Sequence, residues 1–166
     1  VSEPTAKPLP PKGRILSVDP GDVRIGLAVC DPDRIIASPL ETYTRRSEPL
    51  DAAYFRKLIA DEQIVGFLVG LAVHLNGTEG ARAAASRRMG QWLLALADLP
   101  LVYWDERYTT REAESALWQA GLSHKRRKER RDRVAAQILL QTFLDAGCPP
   151  PSIPLALSPD PESESE

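Results

Sequence analysis

The sequence predicts an α/β domain: a mixed five-stranded sheet with helices on both faces. Three observations predict it. Short apolar runs separated by turn residues open the chain. The period of the apolar positions then switches from that of strands to that of a helix. The run Ile64–Leu71 (IVGFLVGL) is almost wholly apolar. Strands joined by tight turns pair antiparallel, and strands separated by helices extend a sheet in parallel.

Arg14–Asp19 (RILSVD) is a short apolar strand ending in an acid. The loop Pro20–Val23 (PGDV) leads into a second strand, Arg24–Cys30, and so short a loop predicts a hairpin. After the turn Asp31–Arg34 (DPDR), Ile35–Pro39 (IIASP) reads as the third strand. Pro49–Glu62 carries Leu50, Ala53, Tyr54 and Leu58 at helical offsets. Ile64–Leu71 suits a central strand covered on both faces. Gly77–Ala97 reads as a long Ala-rich helix and Leu101–Trp104 (LVYW) as the last strand. Thr109 and Glu112 have the spacing of a capping box, opening a helix that ends near Gly121. A basic stretch precedes a final helix of about Glu129–Ala146.

The chain has 166 residues, which is room for one domain with a sizeable core. Ten of its 15 prolines lie in residues 1–12 and 149–166, so both segments read as disordered tails around a domain of residues 13–148. No apolar run approaches the ~20 residues of a membrane span, and residues 1–12 lack the apolar stretch of a signal peptide. The cytoplasm is the expected compartment, with no membrane partner. Two cysteines, Cys30 and Cys148, are too few for a disulfide scaffold, and two histidines, His74 and His124, cannot build a His-rich zinc site.

Acids stand at chemically useful places. Asp19 ends the first strand, Asp105 and Glu106 end the last, and Asp132 lies in the first turn of the final helix among arginines. The carboxyl ends of parallel strands are the default site of an α/β sheet. Carboxylates gathered there repel one another unless a cation neutralises them, and Mg²⁺ or Mn²⁺ suits such oxygen ligands. Two such ions ~4 Å apart can activate a water and stabilise a leaving oxygen in phosphodiester hydrolysis. Taken singly, each acid has a plain structural reading. Asp19 can start a turn, Asp105 or Glu106 can sit at a helix N-terminus, and Asp132 can pair with Arg131 or Arg133.

Four segments carry a resemblance that favours the metal reading. Asp19-Pro-Gly-Asp-Val-Arg-Ile-Gly26, Val69-Gly-Leu-Ala-Val-His-Leu-Asn-Gly-Thr-Glu-Gly80, Asp105-Glu-Arg-Tyr-Thr-Thr110 and Asp132-Arg-Val-Ala-Ala-Gln-Ile-Leu-Leu-Gln141 occur in one order over nearly the whole domain. In this the chain resembles the YqgF/RuvX family. One position departs from the pattern: Ala72 stands where the family often has proline after Gly-Leu. The resemblance implies an RNase H-like fold and a nuclease, described for the family as processing the 5′ end of precursor 16S ribosomal RNA or as resolving Holliday junctions. It implies Asp19, Asp105, Glu106 and Asp132 as the catalytic acids. Adjacent strand residues face opposite sides, so one of Asp105 and Glu106 meets metal. The longer Glu106 is favoured, which makes Asp19, Glu106 and Asp132 the metal ligands.

Residues 125–133 read KRRKERRDR. Lys125, Arg126, Arg127, Lys128, Arg130 and Arg131 surround the acid Asp132, and Arg87 and Arg88 add charge on a neighbouring element. A plain reading is a solvated helix face. A basic wall beside an acidic metal site is also what a nuclease uses to hold phosphates. Arg24 is a further candidate for phosphate, or a plain surface strand residue, and Arg107 either braces the acids or touches substrate. The Gly70 and Gly77–Gly80 loop can offer N–H groups to phosphate, or simply turn the chain. His74, Cys30, Cys148, Trp92, Trp104 and Trp118 read as structural. Nothing in the basic run reads bases, so structured RNA or branched DNA is the expected substrate.

The formal net charge of −2 argues at face value against nucleic acid. It is misleading. Without Lys7, Lys12, Glu3, Asp160, Glu162, Glu164 and Glu166 of the two tails, 19 basic and 18 acidic residues remain, a net charge of +1. Two other functions compete with the nuclease. A non-catalytic nucleic-acid module would be free to lose its acids, and all are present. An actin-like ATPase needs two such domains, and the chain holds one. Junction resolution would require a symmetric pair of sites and hence a homodimer.

Overall fold

The computed structural model describes residues 7–73, 79–106 and 124–155, with side chains of the last segment from Arg131. The elements run β1 (Arg14–Pro20), β2 (Arg24–Cys30), β3 (Ala37–Thr44), α1 (Glu48–Asp61), β4 (Ile64–Leu71), α2 (Ala81–Leu96), β5 (Leu101–Asp105) and α3 (His124–Asp145). The helix expected from Thr109 to Gly121 lies outside the described residues, as do His74, Gly77 and Arg107.

The five strands form one sheet in the order β3-β2-β1-β4-β5. β2 pairs antiparallel with both β1 and β3. β4 pairs parallel with β1, and β5 with β4. The carboxyl ends of β1, β4 and β5 therefore share one edge. Apolar positions alternate across the sheet and fill two cores. Leu16, Val18, Leu27, Phe67, Val69 and Tyr103 join Phe55 of α1 and Leu93 of α2 on one face. Ile15, Cys30, Leu68, Val102 and Trp104 join Leu139, Leu140 and Phe143 of α3 on the other.

Helix α3 is held against β1 and β3 by polar contacts as well as by packing. Buried Ser17 donates from Oγ to the Ala136 carbonyl at 2.8 Å. Gln141 accepts the Ala37 N–H at 2.9 Å, and Gln137 donates to the Ala37 carbonyl at 3.1 Å. Both glutamines thus satisfy backbone groups of the edge strand β3.

The third strand starts later than Ile35 and runs further than Pro39. The Asp31 carboxylate accepts the N–H groups of Ile35 and Ile36 at 2.8 and 2.7 Å, which closes them into a turn. Both isoleucines are exposed despite their apolar character. Pairing begins at Ala37 and continues through Thr44, with Pro39 tolerated at a register shift on this edge strand.

The proline-rich ends are partly packed. Leu9 lies against Gly66, and Ile153 and Leu155 pack on the core beside α1 and α2. The boundaries drawn at residues 12 and 149 thus leave out apolar side chains that are part of the packed domain. Among the described residues no helix is long and apolar enough to cross a membrane.

Candidate active site

Asp19 is the next-to-last residue of β1, and its cross-strand partner is Gly26. A Cβ on Gly26 would stand 1.9 Å from the Asp132 carbonyl oxygen and 2.3 Å from its carbonyl carbon. Only glycine permits the backbone of α3 to pass so close to β2. This contact brings Asp132 to the strand beside Asp19. Strand alternation puts Asp19 on the same face as Ser17, which is the face that α3 covers.

The same parity separates the two acids after β5. Val102 and Trp104 lie on the α3 face, and Tyr103 lies on the face of α1 and α2. Glu106 continues the series of Val102 and Trp104, whereas Asp105 continues that of Tyr103. The contacts agree. A Cβ on Gly70 would meet Glu106 Oε1 at 3.2 Å and Leu139 Cδ2 of α3 at 3.0 Å. Glu106 therefore lies over the end of β4, towards α3. Asp105 is buried.

The electrostatics match this placement. Asp19 is largely buried, and its carboxyl is pushed up from 3.8 to about 7. Loss of hydration is the main cause, followed by the negative charge of Glu106. Arg82 opposes the shift, and Asp132 adds to it. The Glu106 carboxyl is also raised, by burial first, with Arg82 opposing and Asp105 adding. Two arginines flank the group. Arg24 Nε lies 3.6 Å from Asp132 Oδ2, and Arg82 Nη2 lies 3.4 Å from Glu106 Oε2.

The family described as "RuvX: Holliday junction resolvase" matches residues 13–146. The chain belongs to the RuvX family. Relatives of this RuvX chain include proteins named "Putative pre-16S rRNA nuclease" from two bacteria. The one from Rhodopirellula baltica is 44% identical over 137 residues, covering 82% of this chain and 79% of that one. The one from Rhodobacter capsulatus is 45% identical over 140 residues, covering 84% and 88%. T. thermophilus RuvC, solved in complex with Holliday junction substrate, shares the fold. It aligns with a TM-score of 0.54 at 14% identity, over 82% of this chain and 96% of that one. The RuvX chain thus has the RNase H-like fold expected from its motifs.

The arginines of this RuvX chain divide into distinct roles. Arg24 pairs with Asp132. Arg87 does not face substrate. It is 9% exposed, it donates from Nε to Glu79 at 2.8 Å, and it donates from Nη1 to the Pro154 and Leu155 carbonyls at 2.9 and 3.1 Å. Its guanidinium also lies 5.0 Å from the centre of the Tyr103 ring. A buried, fully engaged guanidinium braces α2 and the segment after residue 150, so Arg87 leaves the set of candidate phosphate ligands. Arg88, one residue on, is exposed and lines a cavity on the α1 and α2 face. Arg131 is exposed on α3 beside Asp132. The side chains of Lys125, Arg126, Arg127, Lys128 and Arg130 lie outside the described residues.

Arg82 is the site residue that sequence reasoning missed. It sits in the first turn of α2, directly after the Gly77–Gly80 segment. The available signal was its position: a helix that follows β4 starts at the carboxyl edge of the sheet, and a long cation in its first turn can reach back over that edge.

The donor set of this RuvX chain suits a hard divalent cation. Asp19, Glu106 and Asp132 offer only oxygens, and burial raises the Asp19 and Glu106 carboxyls even with Arg82 beside them, a cost that a bound cation would offset. Among the described residues, no three His, Cys, Asp or Glu side chains already close on one point.

Proposed function

We propose that this chain is a divalent-cation-dependent nuclease that hydrolyses phosphodiester bonds, with the 5′ end of precursor 16S rRNA as its substrate. One observation carries the reading. Asp19 and Glu106 lie on the α3 face at the strand-end edge, the Asp132 backbone packs on Gly26 opposite Asp19, and the Asp19 carboxyl is pushed up to about 7. Carboxyls perturbed by burial and by a neighbouring charge concentrate at functional sites, which supports the reading.

Asp19, Glu106 and Asp132 would hold Mg²⁺ or Mn²⁺, as a two-ion site. Bound there, the cations supply an activated water and charge stabilisation at the leaving oxygen. The protein supplies the rest. Burial at Asp19 excludes water and strengthens every charge interaction in the site. Arg24 and Arg82 hold Asp132 and Glu106 before substrate arrives and can turn to its phosphate oxygens afterwards. The basic run of residues 125–133 is the proposed grip on the phosphate backbone of the substrate. The reading places the work in the cytoplasm, on nucleic acid.

The names of the relatives favour the ribosomal RNA substrate. The description of the family favours a second one, a four-way DNA junction, whose resolution would need two sites in a symmetric dimer. The test compares wild type with Asp19→Asn on a precursor-rRNA 5′ end and on a four-way junction, with Mg²⁺ or Mn²⁺. Cleavage of the RNA by wild type alone is expected. Equal cleavage by the variant, or none of either substrate by wild type, overturns the reading.

A further inference from the structure

Beside the acidic site lies a cavity of about 420 Å³. It opens at the same sheet edge but on the opposite face, between the β1–β2 loop, the segment after β3, and α2. Pro20 and Gly21, the residues that follow Asp19, form part of its wall. Its size is within the range of small-molecule sites.

The lining is neither plainly acidic nor plainly basic. Arg45, Arg46 and Arg88 face Asp22, Glu48 and Asp51. The charges differ in what they already do. Asp51 accepts from the Tyr43 hydroxyl at 2.5 Å and from the Arg46 N–H at 2.9 Å. Arg46 donates from Nε to that same hydroxyl at 3.3 Å. Glu48 accepts the Trp92 indole N–H at 3.2 Å. Among the described residues, the guanidinium groups of Arg45 and Arg88 have no hydrogen-bond or ion-pair partner, and both are exposed. Trp92, partly buried, closes one side with its ring held by Glu48 and by edge contact with Phe55. Two uncommitted arginines, a fixed aromatic ring and an exposed carboxylate make a lining suited to a nucleotide. The arginines take a phosphate, and the ring takes a base.

The position ties this cavity to the strand being cut. Arg82, Ala85, Arg88 and Trp92 recur every three or four residues, so they lie along one face of α2. Arg82 meets Glu106 at one end of that ridge, and the others line the cavity. Six residues separate Arg82 from Arg88, about 9 Å of helix. Successive nucleotides of a duplex strand advance about 3.4 Å along its axis. Arg88 thus stands about two or three nucleotides along the ridge from Arg82.

We infer that this cavity is a nucleotide subsite for the substrate strand, holding one nucleotide two or three positions from the cleaved bond, its phosphate on Arg45 and Arg88 and its base against Trp92. The inference rests on the nuclease reading for the strand's path, but its binding can be tested without cleavage.

The test uses the full chain and the double variant Arg45→Ala/Arg88→Ala. Cleavage is measured on a long strand and on one trimmed to a single nucleotide either side of the cut. The long-to-short ratio of kcat/KM should fall about ten-fold in the variant. An unchanged ratio overturns the subsite. In a second arm, fluorescence anisotropy follows a labelled single-stranded hexanucleotide, as RNA and as DNA, without added metal. Wild type should bind at least one of them about ten-fold more tightly than the variant, and the tighter of the two names the strand. Equal affinities overturn the subsite. If wild type cuts neither strand but the affinity difference stands, the nuclease reading fails while the nucleotide site survives.

Discussion

Gly26 and Asp132 touch through their backbones. The missing Cβ of Gly26 is replaced by the Asp132 carbonyl, which would lie 1.9 Å from it. Because Gly26 is the cross-strand partner of Asp19, this one contact sets the position of a helix acid over a strand acid.

Gly26→Ala should therefore damage both stability and activity. A backbone carbonyl cannot rotate away from the new methyl group as a flexible side chain can. Either α3 or β2 must shift by more than an ångström. Overpacking of this kind costs about 1–3 kcal/mol. A displacement of that size near the chemistry costs about 100-fold in rate. Urea unfolding and single-turnover cleavage check the two effects. Full activity at wild-type stability would mean that α3 is not fixed by this contact.

Arg87→Met should lower stability and leave nucleic-acid binding alone. Arg87 and Glu79 form a largely buried pair, with side chains 10% and 16% exposed. Removing one partner strands the other, at a cost of about 3 kcal/mol. The Pro154 and Leu155 carbonyls lose their donor as well. Adding Glu79→Gln should recover part of the loss, because the stranded charge is gone. Thermal unfolding checks the first effect, and affinity for a labelled RNA hairpin checks the second. A stable variant with weakened binding would return Arg87 to the substrate face.

Arg87 also marks where the sequence stops being legible. Its charge and its neighbour Arg88 look alike in the chain, yet one is buried and one lines a cavity. The difference comes from the phase of α2 over the sheet and from Pro154, 67 residues away. The strands were legible for the opposite reason. β1, β2, β4 and β5 are short apolar runs between turn residues, so local pattern and burial coincide. β3 was displaced because Ile35 and Ile36 are apolar yet tied into a turn by Asp31, a side-chain interaction that no hydrophobic period records. Strand parity set Asp105 and Glu106 on opposite sides but not which side α3 covers; the contacts of Glu106 at Gly70, beside Leu139, show that only in the fold. Arg82 was not legible either, since its ion pair joins two elements whose distance only the fold fixes.

Arg82→Ala should move the pH dependence of cleavage and barely change stability. The Arg82 side chain is 71% exposed, so its ion pair contributes within about 0.5 kcal/mol to folding. Its charge nevertheless holds down the carboxyls of Asp19 and Glu106. Without it both titrate at higher pH. A site that works with ionised carboxylates gains activity as pH rises, so the rising limb should shift to higher pH in the variant. Arg82→Lys should restore most of the wild-type limb. A pH–rate profile of kcat/KM decides it, and an unmoved limb would mean that solvent screens Arg82 from both acids.

Asp19→Asn should abolish cleavage and stabilise the cation-free protein at neutral pH. In the unfolded chain Asp19 titrates near 3.8, and in the folded protein at about 7. Below pH 3.8 both states carry the proton, and the residue costs nothing. Between pH 4 and 7 the unfolded state gives up the proton while the folded state keeps it, so stability falls as pH rises. Above 7 the penalty is constant, on the order of a few kcal/mol. Asparagine never ionises, so the variant escapes the penalty, and its advantage over wild type should grow from pH 4 to pH 8. Mn²⁺ supplies the missing positive charge, so it should stabilise wild type strongly at pH 8 and the variant only weakly. Chemical denaturation from pH 4 to 8, with and without Mn²⁺, measures both. A variant less stable than wild type at pH 8, or stabilised equally by Mn²⁺, would remove Asp19 from the cation site.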